Sequence, residues 1–209
     1  MIGILDYGLG NLRSVQKAFE CLGCVDAAVV SDPEQVSGCE KILLPGVGNF
    51  ADGVSLLRER GFVEPVLDFV GRGRPLLGIC MGMQLLFDRS TEAPEGQQAV
   101  AGLGLVPGRV ERFQEDMGGA RLKVPHMGWN RLEVDESKPV CAGLGDDPHV
   151  YFVHGYYCVP DDPAVVAATA DYGEPFCAAV CRGNLWATQF HPEKSQKVGL
   201  KILQNFVAV

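Results

Sequence analysis

Pro75-Leu76-Leu77-Gly78-Ile79-Cys80-Met81-Gly82 decides the fold, because an apolar run leads into a cysteine that has a glycine two residues to either side. The first part of the run predicts a buried strand, and the apolar residues from Met81 to Phe87 predict a helix. Glycines relieve the crowding of a sharp turn between two such elements. The sequence therefore predicts a strand, a strand-to-helix elbow at Cys80 and a helix.

Strand-like and helix-like segments alternate on the N-terminal side of this elbow. Short apolar runs predict strands, and apolar residues three or four positions apart predict helices. The predicted strands are Ile2 to Leu5, Val25 to Val30 and Lys41 to Leu44, and the predicted helices are a segment opened by Asn11 and closed by Gly23, a segment with Phe50, Val54 and Leu57, and Val63 to Val70. This alternation predicts an α/β fold with a doubly wound, mostly parallel sheet that has helices on both faces.

The C-terminal half changes character after Gly96-Gln97-Gln98, where turn residues separate short β-like runs. These runs are Arg109 to Phe113, Val150 to Val153, Val165 to Thr169 and Phe176 to Cys181. They predict an antiparallel extension of the sheet. Arg182-Gly183-Asn184 predicts a hairpin turn into Leu185 to Phe190, and Ser195 is predicted to cap a last helix that carries Val198, Ile202, Leu203 and Phe206.

Length and composition fit one globular domain, residues 1–209, that stays in the cytoplasm. The N-terminus has no basic stretch, so we expect no signal peptide, and the apolar run from Leu76 to Phe87 is shorter than the roughly 20 residues of a spanning helix. A net charge of -8 argues against binding to nucleic acid. The eight cysteines are interpreted as reduced thiols, and Cys21-Leu22-Gly23-Cys24 as packing residues rather than a redox pair.

Two separate motifs carry the residues for nucleophilic catalysis. A thiol at the start of a helix is favoured as the thiolate, which is the attacking species in acyl transfer. In Gln189-Phe190-His191-Pro192-Glu193, the imidazole can take the thiol proton and return it to a leaving group, while the carboxylate fixes the tautomer. The alternatives are a small-residue turn that only packs closely and an ordinary polar loop. The occurrence of both motifs in one α/β domain favours a triad of Cys80, His191 and Glu193.

Glycines in a third motif, Pro45-Gly46-Val47-Gly48, can supply an oxyanion hole. Without a Cβ, the backbone can approach a substrate and turn its N–H groups toward a developing negative charge. A simple turn at the end of a strand is the equal alternative. Gly8-Leu9-Gly10 begins a dinucleotide-binding fingerprint but has Arg13 at the third glycine position, so no nucleotide cofactor is expected.

The elbow at Cys80 together with His191-Pro192-Glu193 resembles the class I (triad) glutamine amidotransferases. Within them, five ordered blocks along the chain are similar to the glutaminase subunit of imidazole glycerol phosphate synthase. The blocks are Asp6-Tyr7-Gly8-Leu9-Gly10-Asn11, Pro45-Gly46-Val47-Gly48, Gly78-Ile79-Cys80-Met81-Gly82-Met83-Gln84, Pro125-His126-Met127-Gly128-Trp129-Asn130 and Tyr151-Phe152-Val153-His154.

The resemblance implies a flavodoxin-like α/β fold, hydrolysis of glutamine through a thioester on Cys80, and no cofactor or metal. It also implies a heterodimer with a (β/α)8-barrel cyclase that uses the ammonia to make imidazole glycerol phosphate and aminoimidazole carboxamide ribotide. The implied site residues are Gly46, Val47, Gly48 and Met81 for the oxyanion hole, Gln84, Glu92, His154, Gly155 and Tyr156 for glutamine, and Trp129, Asn130 and Lys194 for the partner interface.

Several of these assignments have plain alternatives. Glu92, suited to pair with the α-ammonium of glutamine, can also be a solvated carboxylate, and His154 can be a satisfied strand histidine. Trp129 can be a packed aromatic and Lys194 a solvated lysine. Gly155 stands where the family often has serine, so we expect a changed affinity for glutamine rather than a loss of chemistry.

Two other functions compete with this one. A glutaminase subunit of anthranilate or aminodeoxychorismate synthase is disfavoured by the block around Trp129 and by Pro45-Gly46-Val47-Gly48. A non-catalytic binding protein of the same fold would have no reason to keep Cys80, His191 and Glu193 together.

Overall fold

The computed structural model describes residues 1–24, 26–117 and 120–209. Strands and helices alternate in the first half of the chain, and strands dominate the second. The strands are β1 (Ile2–Leu5), β2 (Ala27–Val30), β3 (Lys41–Gly46), β4 (Leu76–Cys80), β5 (Phe87–Ser90), β6 (Val100–Ala101), β7 (Val106–Arg112), β8 (Asp116–Met117), β9 (Ala120–Arg121), β10 (His126–Arg131), β11 (Glu133–Val134), β12 (His149–His154), β13 (Tyr156–Pro160), β14 (Val166–Tyr172), β15 (Glu174–Arg182) and β16 (Leu185–Thr188). The α-helices are α1 (Leu12–Cys21), α2 (Phe50–Glu59), α3 (Val63–Gly71), α4 (Met81–Gln84) and α5 (Gln196–Val207).

One large sheet organises the molecule, in the order β2-β1-β3-β4-β16-β15-β13-β7-β5-β6. From β2 to β16 every neighbouring pair is parallel. Beyond β16 the pairs are antiparallel except for β5 with β7, and β14 and β11 branch from β15. The predicted mostly parallel sheet with an antiparallel extension is therefore confirmed, while β10 and β12 form a separate two-stranded sheet.

Helices cover both faces of the parallel region. Side chains alternate along a strand, so Leu43 of β3 packs with the core under α1 and α5, whereas Leu44 packs with the core under α2 and α3. Burial of each large apolar side chain contributes about 1.5–3 kcal/mol, and Phe19 of α1 and Phe69 of α3 anchor their helices in this way. Because β4 and β16 pair in parallel, their carboxyl ends lie side by side.

The predicted helix from Met81 to Phe87 is wrong, because the structure has a helix of a single turn. The chain leaves helical geometry after Gln84 since the next carbonyl groups pair elsewhere. Leu85 O accepts from Leu103 N at 2.9 Å, and Leu86 O accepts from Leu105 N at 2.8 Å. Phe87 then begins β5 beside Val106. Pairing across the sheet has overridden the local apolar pattern.

The sequence predicted that Ser195 caps the last helix. Ser195 does precede α5, but its side chain makes no capping hydrogen bond to that helix. Its hydroxyl instead donates to His191 O at 2.7 Å and accepts from Tyr151 N at 3.0 Å. Asn11 does cap α1, by accepting from Ser14 N at 3.4 Å.

The other predicted strands are present with ends that match or are shifted by up to three residues. β3, for example, runs on to Gly46 rather than ending at Leu44. The predicted start of the second strand at Val25 lies outside the described residues. Strands β10 and β13 and the short strands β5, β6, β8, β9 and β11 were not predicted.

Across the described ranges, no helix combines the length and apolar character needed to cross a membrane.

Candidate active site

Cys80 lies at a strained turn between β4 and α4. Its backbone has φ 55° and ψ −113°, a left-handed conformation that side-chain-bearing residues rarely adopt. Gly78 and Gly82 allow the turn, because a Cβ on Gly82 would overlap Leu44 O and a Cβ on Gly78 would come within 2.8 Å of Gly82 O. The predicted sharp strand-to-helix turn at Cys80 is therefore present.

His191 and Glu193 form a buried pair just after β16, the strand beside β4. His191 Nδ1 lies 2.8 Å from Glu193 Oε1, and the two side chains are 2% and 1% exposed. Because a carboxylate only accepts, Nδ1 carries a proton and the other ring nitrogen, Nε2, is available to exchange one. The parallel register of Thr188 with Ile79 brings this pair to Cys80.

Charge around His191 shifts its proton affinity. Burial, the largest influence, lowers the pKa of His191, but hydrogen bonding and charge from Cys80 and Glu193 outweigh it and raise that pKa to about 9. Within the described part of the chain, Nε2 of His191 is buried and has no well-formed hydrogen bond. Hydrogen bonds of catalytic groups often tighten only when substrate binds. The ring can accept a thiol proton and hold it.

Gly46 and its neighbours lie directly beside the elbow, because Gly46 of β3 is in register with Cys80. A Cβ on Gly46 would come within 2.8 Å of both Gly82 N and Tyr7 Oη. Tyr7 is buried and donates its hydroxyl proton to Pro45 O at 2.8 Å, which fixes the peptide before Gly46. The strand therefore ends beside Cys80, with Gly46 buried between Tyr7 and the start of α4.

A pocket of about 200 Å³ opens above Cys80. Apart from Val153, all of its lining residues were predicted for the oxyanion hole, for glutamine binding or for catalysis. They are Val47, Gly48, Cys80, Met81, Gln84, Glu92, His154, Gly155, Tyr156 and His191. Gly46 and Glu193 do not line the pocket themselves but contact residues that do, Cys80 and His191. A pocket of this size suits a small amino acid rather than a nucleotide.

The predicted glutamine-binding side chains are already held by the protein. Gln84 Nε2 donates to Tyr156 O and to Gln189 Oε1, both at 3.0 Å, and His154 Nδ1 lies 2.8 Å from Tyr156 O. Glu92 Oε2 accepts from Phe50 N at 2.8 Å. Burial raises the pKa of Glu92, more than this hydrogen bond lowers it. Glu92 is half-buried at the pocket wall rather than a solvated surface carboxylate.

The residues predicted for a partner interface lie on the outer side of the site. Trp129 is 48% exposed, and its ring centroid lies 6.0 Å from that of Tyr151. Lys194 Nζ lies 5.9 Å from the same Tyr151 ring, so the structure brings Trp129 and Lys194 together around one tyrosine. Asn130 instead turns inward, since its Nδ2 donates to Asp171 O at 2.7 Å.

Sequence reasoning assigned no role to three residues that touch this machinery. Gln189 bridges Gln84 and Cys80, Tyr7 holds Pro45, and His126 contacts His154. Each lies inside a quoted motif, and that position was the available signal. Their partners, however, are 28 to 109 residues away along the chain.

Comparison with known proteins agrees with this geometry. The family model described as glutamine amidotransferase class-I matches residues 3–209, and the chain belongs to that class. Subunit HisH of imidazole glycerol phosphate synthase from Syntrophotalea carbinolica is 57% identical over 99% of this chain and 98% of its own. The HisH subunit from Geobacter sulfurreducens is 56% identical over 98% and 97%. Within its class, the chain belongs to the HisH family.

Solved structures support the fold at lower identity. A crystal structure of a glutamine amidotransferase matches with a TM-score of 0.73 and 27% identity, over 99% of this chain and 98% of the other. The structure of PurLQS from Thermotoga maritima matches with a TM-score of 0.75 over 99% and 97%, and its 20% identity speaks for the fold alone.

Proposed function

We propose that Cys80, His191 and Glu193 are the triad with which this chain hydrolyses glutamine. The activity itself belongs to the HisH family: the chain is the glutamine amidotransferase subunit of imidazole glycerol phosphate synthase and supplies ammonia for histidine biosynthesis. One observation carries the assignment of residues, the 2.8 Å pair of His191 and Glu193 beside a strained Cys80. The whole of residues 1–209 would act as a single domain.

The first half of the reaction forms a thioester. The Cys80 thiolate attacks the side-chain amide carbon of glutamine, a C–S bond forms, and the carbonyl electrons move onto oxygen. N–H groups of Gly46-Val47-Gly48 and of Met81 would meet this oxyanion. The intermediate collapses as the C–N bond breaks, and His191 donates its proton so that ammonia leaves.

The second half returns the enzyme to its starting state. His191 takes a proton from water, the resulting hydroxide equivalent attacks the thioester carbon, and the C–S bond breaks to give glutamate and the Cys80 thiolate. Glu193 stabilises the imidazolium form of His191 at both stages without itself taking the proton. The raised pKa of His191, about 9, fits a group that must hold a proton after each transfer.

Recognition of glutamine rests on the pocket wall. Glu92 is suited to pair with the α-ammonium group, because its carboxylate is half-buried and one oxygen is already fixed by Phe50 N. Backbone groups of Gly155 and Tyr156 offer contacts to the rest of the substrate. Gln84 and His154 are engaged within the protein, so they shape the pocket and orient its backbone.

The ammonia would pass to a cyclase subunit in a cytoplasmic heterodimer. Met127 and Trp129 of β10 are 62% and 48% exposed, and Met127 is paired with Val153, which lines the pocket together with the exposed Val47. Monomeric proteins rarely expose such side chains together, and they are typical of the core of an interface. A partner seated there would cover the exit from the active site.

The test is a glutaminase assay of the Cys80→Ala variant. The variant should release no glutamate above background while keeping its fold, because no neighbouring group can form the thioester. When mixed with the cyclase, it should still support synthesis from added ammonium salt. Glutamine hydrolysis at the wild-type rate would show that the nucleophile is another residue.

A further inference from the structure

A single backbone carbonyl, Tyr156 O, fixes the orientation of two buried amides. A carbonyl only accepts, so the Gln84 atom at 3.0 Å from it must be the amide nitrogen. The same nitrogen lies 3.0 Å from Gln189, which must therefore present its oxygen. The other end of Gln189 is then its NH₂ group, and this lies 3.9 Å from Cys80 Sγ. The hydrogen-bond network therefore determines that Gln189 presents its NH₂ group, a donor, toward Cys80.

The same carbonyl also orders a pair of histidines. His154 Nδ1, at 2.8 Å from Tyr156 O, must carry the proton, and His154 Nε2 then accepts from His126 Nδ1 at 3.1 Å. Burial lowers the pKa of His154 to about 3 and that of His126 to about 4, so both rings stay neutral. Asn130 Nδ2 donates to the remaining nitrogen of His126 at 3.4 Å. Each hydrogen bond in the network therefore has only one possible donor and one possible acceptor.

Cys80 needs such a donor because its helix is short. The sequence predicted a helix to Phe87, whose aligned peptide dipoles would stabilise a thiolate at the N-terminus. Only one turn, Met81–Gln84, is present, so the N–H groups of this turn act on the sulfur without a longer row of aligned dipoles behind them. Side chains add to this stabilisation: the imidazolium of His191, whose pKa is raised by Cys80, and Gln189, a fully buried amide beside the sulfur.

We propose that Gln189 is a further catalytic residue, which donates an N–H to the Cys80 sulfur and stabilises the thiolate before attack and on its release from the thioester. The inference rests on the proposed triad. A separation of 3.9 Å is long for a neutral thiol, and the contact strengthens when the sulfur is charged. The other titratable groups that act on or are acted on by Cys80 are His191, Tyr7 and Cys158.

The experiment measures how the alkylation rate of Cys80 by iodoacetamide depends on pH, with the product located by peptide mass spectrometry. All proteins carry Cys21→Ser and Cys24→Ser, because these two thiols are not buried. Gln189→Met removes the donor at similar size. Gln189→Glu keeps an acceptor for Gln84 but turns a negative charge toward the sulfur. Thr188→Val is the matched control, since Thr188 is equally buried on the same segment and bonds only Phe190 O.

Gln189→Met should move the pH midpoint of alkylation upward by about one unit and slow alkylation below that midpoint roughly tenfold, as expected for loss of a hydrogen bond to a charged group. Gln189→Glu should move it further, and Thr188→Val should leave it in place. In steady state, Gln189→Met should lower kcat with little change in KM. If Gln189→Glu does not fold, Gln189→Met decides alone.

An unshifted midpoint in Gln189→Met, with glutaminase activity still lost in Cys80→Ala, refutes the role of Gln189 and leaves the triad intact. Glutaminase activity that survives Cys80→Ala overturns both. If Gln189 had only a structural role, Gln189→Met would lower thermal stability as Thr188→Val does and would leave the pH midpoint of alkylation unchanged.

Discussion

Among single residues, His191 shows most directly how burial and charge compete. Its pKa is raised from the ordinary 6.5 to about 9, so its protonated form stabilises the fold fully below pH 6.5, and this contribution is lost as pH rises through 9. Glu193→Gln removes one of the charges that raise this pKa. We expect the pKa of His191 to fall in that variant, and the glutaminase rate to fall less than in Cys80→Ala.

Nuclear magnetic resonance can follow this directly because the chain has only four histidines. In the wild type one imidazole should titrate near pH 9, while those of His126 and His154 stay neutral across pH 5–8. If the pKa of His191 were equally high in Glu193→Gln, Glu193 would not be one of the groups that raise it.

The variant Gly155→Ser tests whether the glycine at this position affects the affinity for glutamine. A Cβ there would meet only Val124 Cγ1 at 3.6 Å, which is ordinary contact, so Gly155→Ser should fold normally. One added hydrogen bond to substrate is worth about 0.5–1.5 kcal/mol, which predicts a roughly two- to tenfold lower KM with kcat little changed. Gly82→Ala is the contrasting control, since its Cβ would overlap Leu44 O and should destabilise the fold. Unchanged KM in Gly155→Ser would separate this position from substrate binding.

At the scale of elements, the pairing of β10 with β12 does more than complete a small sheet. Its register places His126 opposite His154, and this sets the two rings in contact. His126→Phe would keep the stacking on Phe152 but leave His154 Nε2 as a buried acceptor with no donor. The free energy of unfolding should fall by about 1–3 kcal/mol in a denaturant titration.

Phe152→Leu is the matched packing control for that variant, because it trims the same aromatic cluster without touching the hydrogen bonds. In the wild type, ¹⁵N chemical shifts should show both rings protonated at Nδ1. A His154 ring protonated at Nε2 would break the assigned direction of the network.

The local sequence pattern predicted the helices and strands of this fold better than the long-range contacts between them. The elbow at Cys80 and the pair of His191 and Glu193 were predictable, because each is carried by neighbouring residues. The end of α4 was not, since it depends on carbonyl groups that pair with a segment near Leu103. The role of Gln189 was equally hidden, because its contacts with Gln84 and Cys80 join residues more than 100 positions apart.

For the whole molecule, the arrangement around Tyr151 links the outer surface to the catalytic pair. Trp129 and Lys194 approach the Tyr151 ring from the exposed side of the site. The backbone of Tyr151 is in turn bonded to the proposed triad, since Tyr151 O accepts from His191 N at 3.1 Å. A partner that contacted Trp129 or Lys194 would therefore act on β12, the strand whose Tyr151 is hydrogen-bonded to His191.

We therefore expect the isolated chain to hydrolyse glutamine slowly and the complex with ligand-bound cyclase to hydrolyse it fast. Hydrolysis without an acceptor would waste ammonia, and one missing oxyanion donor costs roughly a hundredfold to a thousandfold in rate. A peptide N–H near Val47, between two glycines, can be that donor because glycine neighbours let it reorient. Trp129→Ala and Lys194→Ala should bind the cyclase yet gain less activity from its ligand than the wild type does. Glutamine turnover of each protein, alone and in the complex, measures this, and full activity of the wild-type chain by itself would rule out such gating.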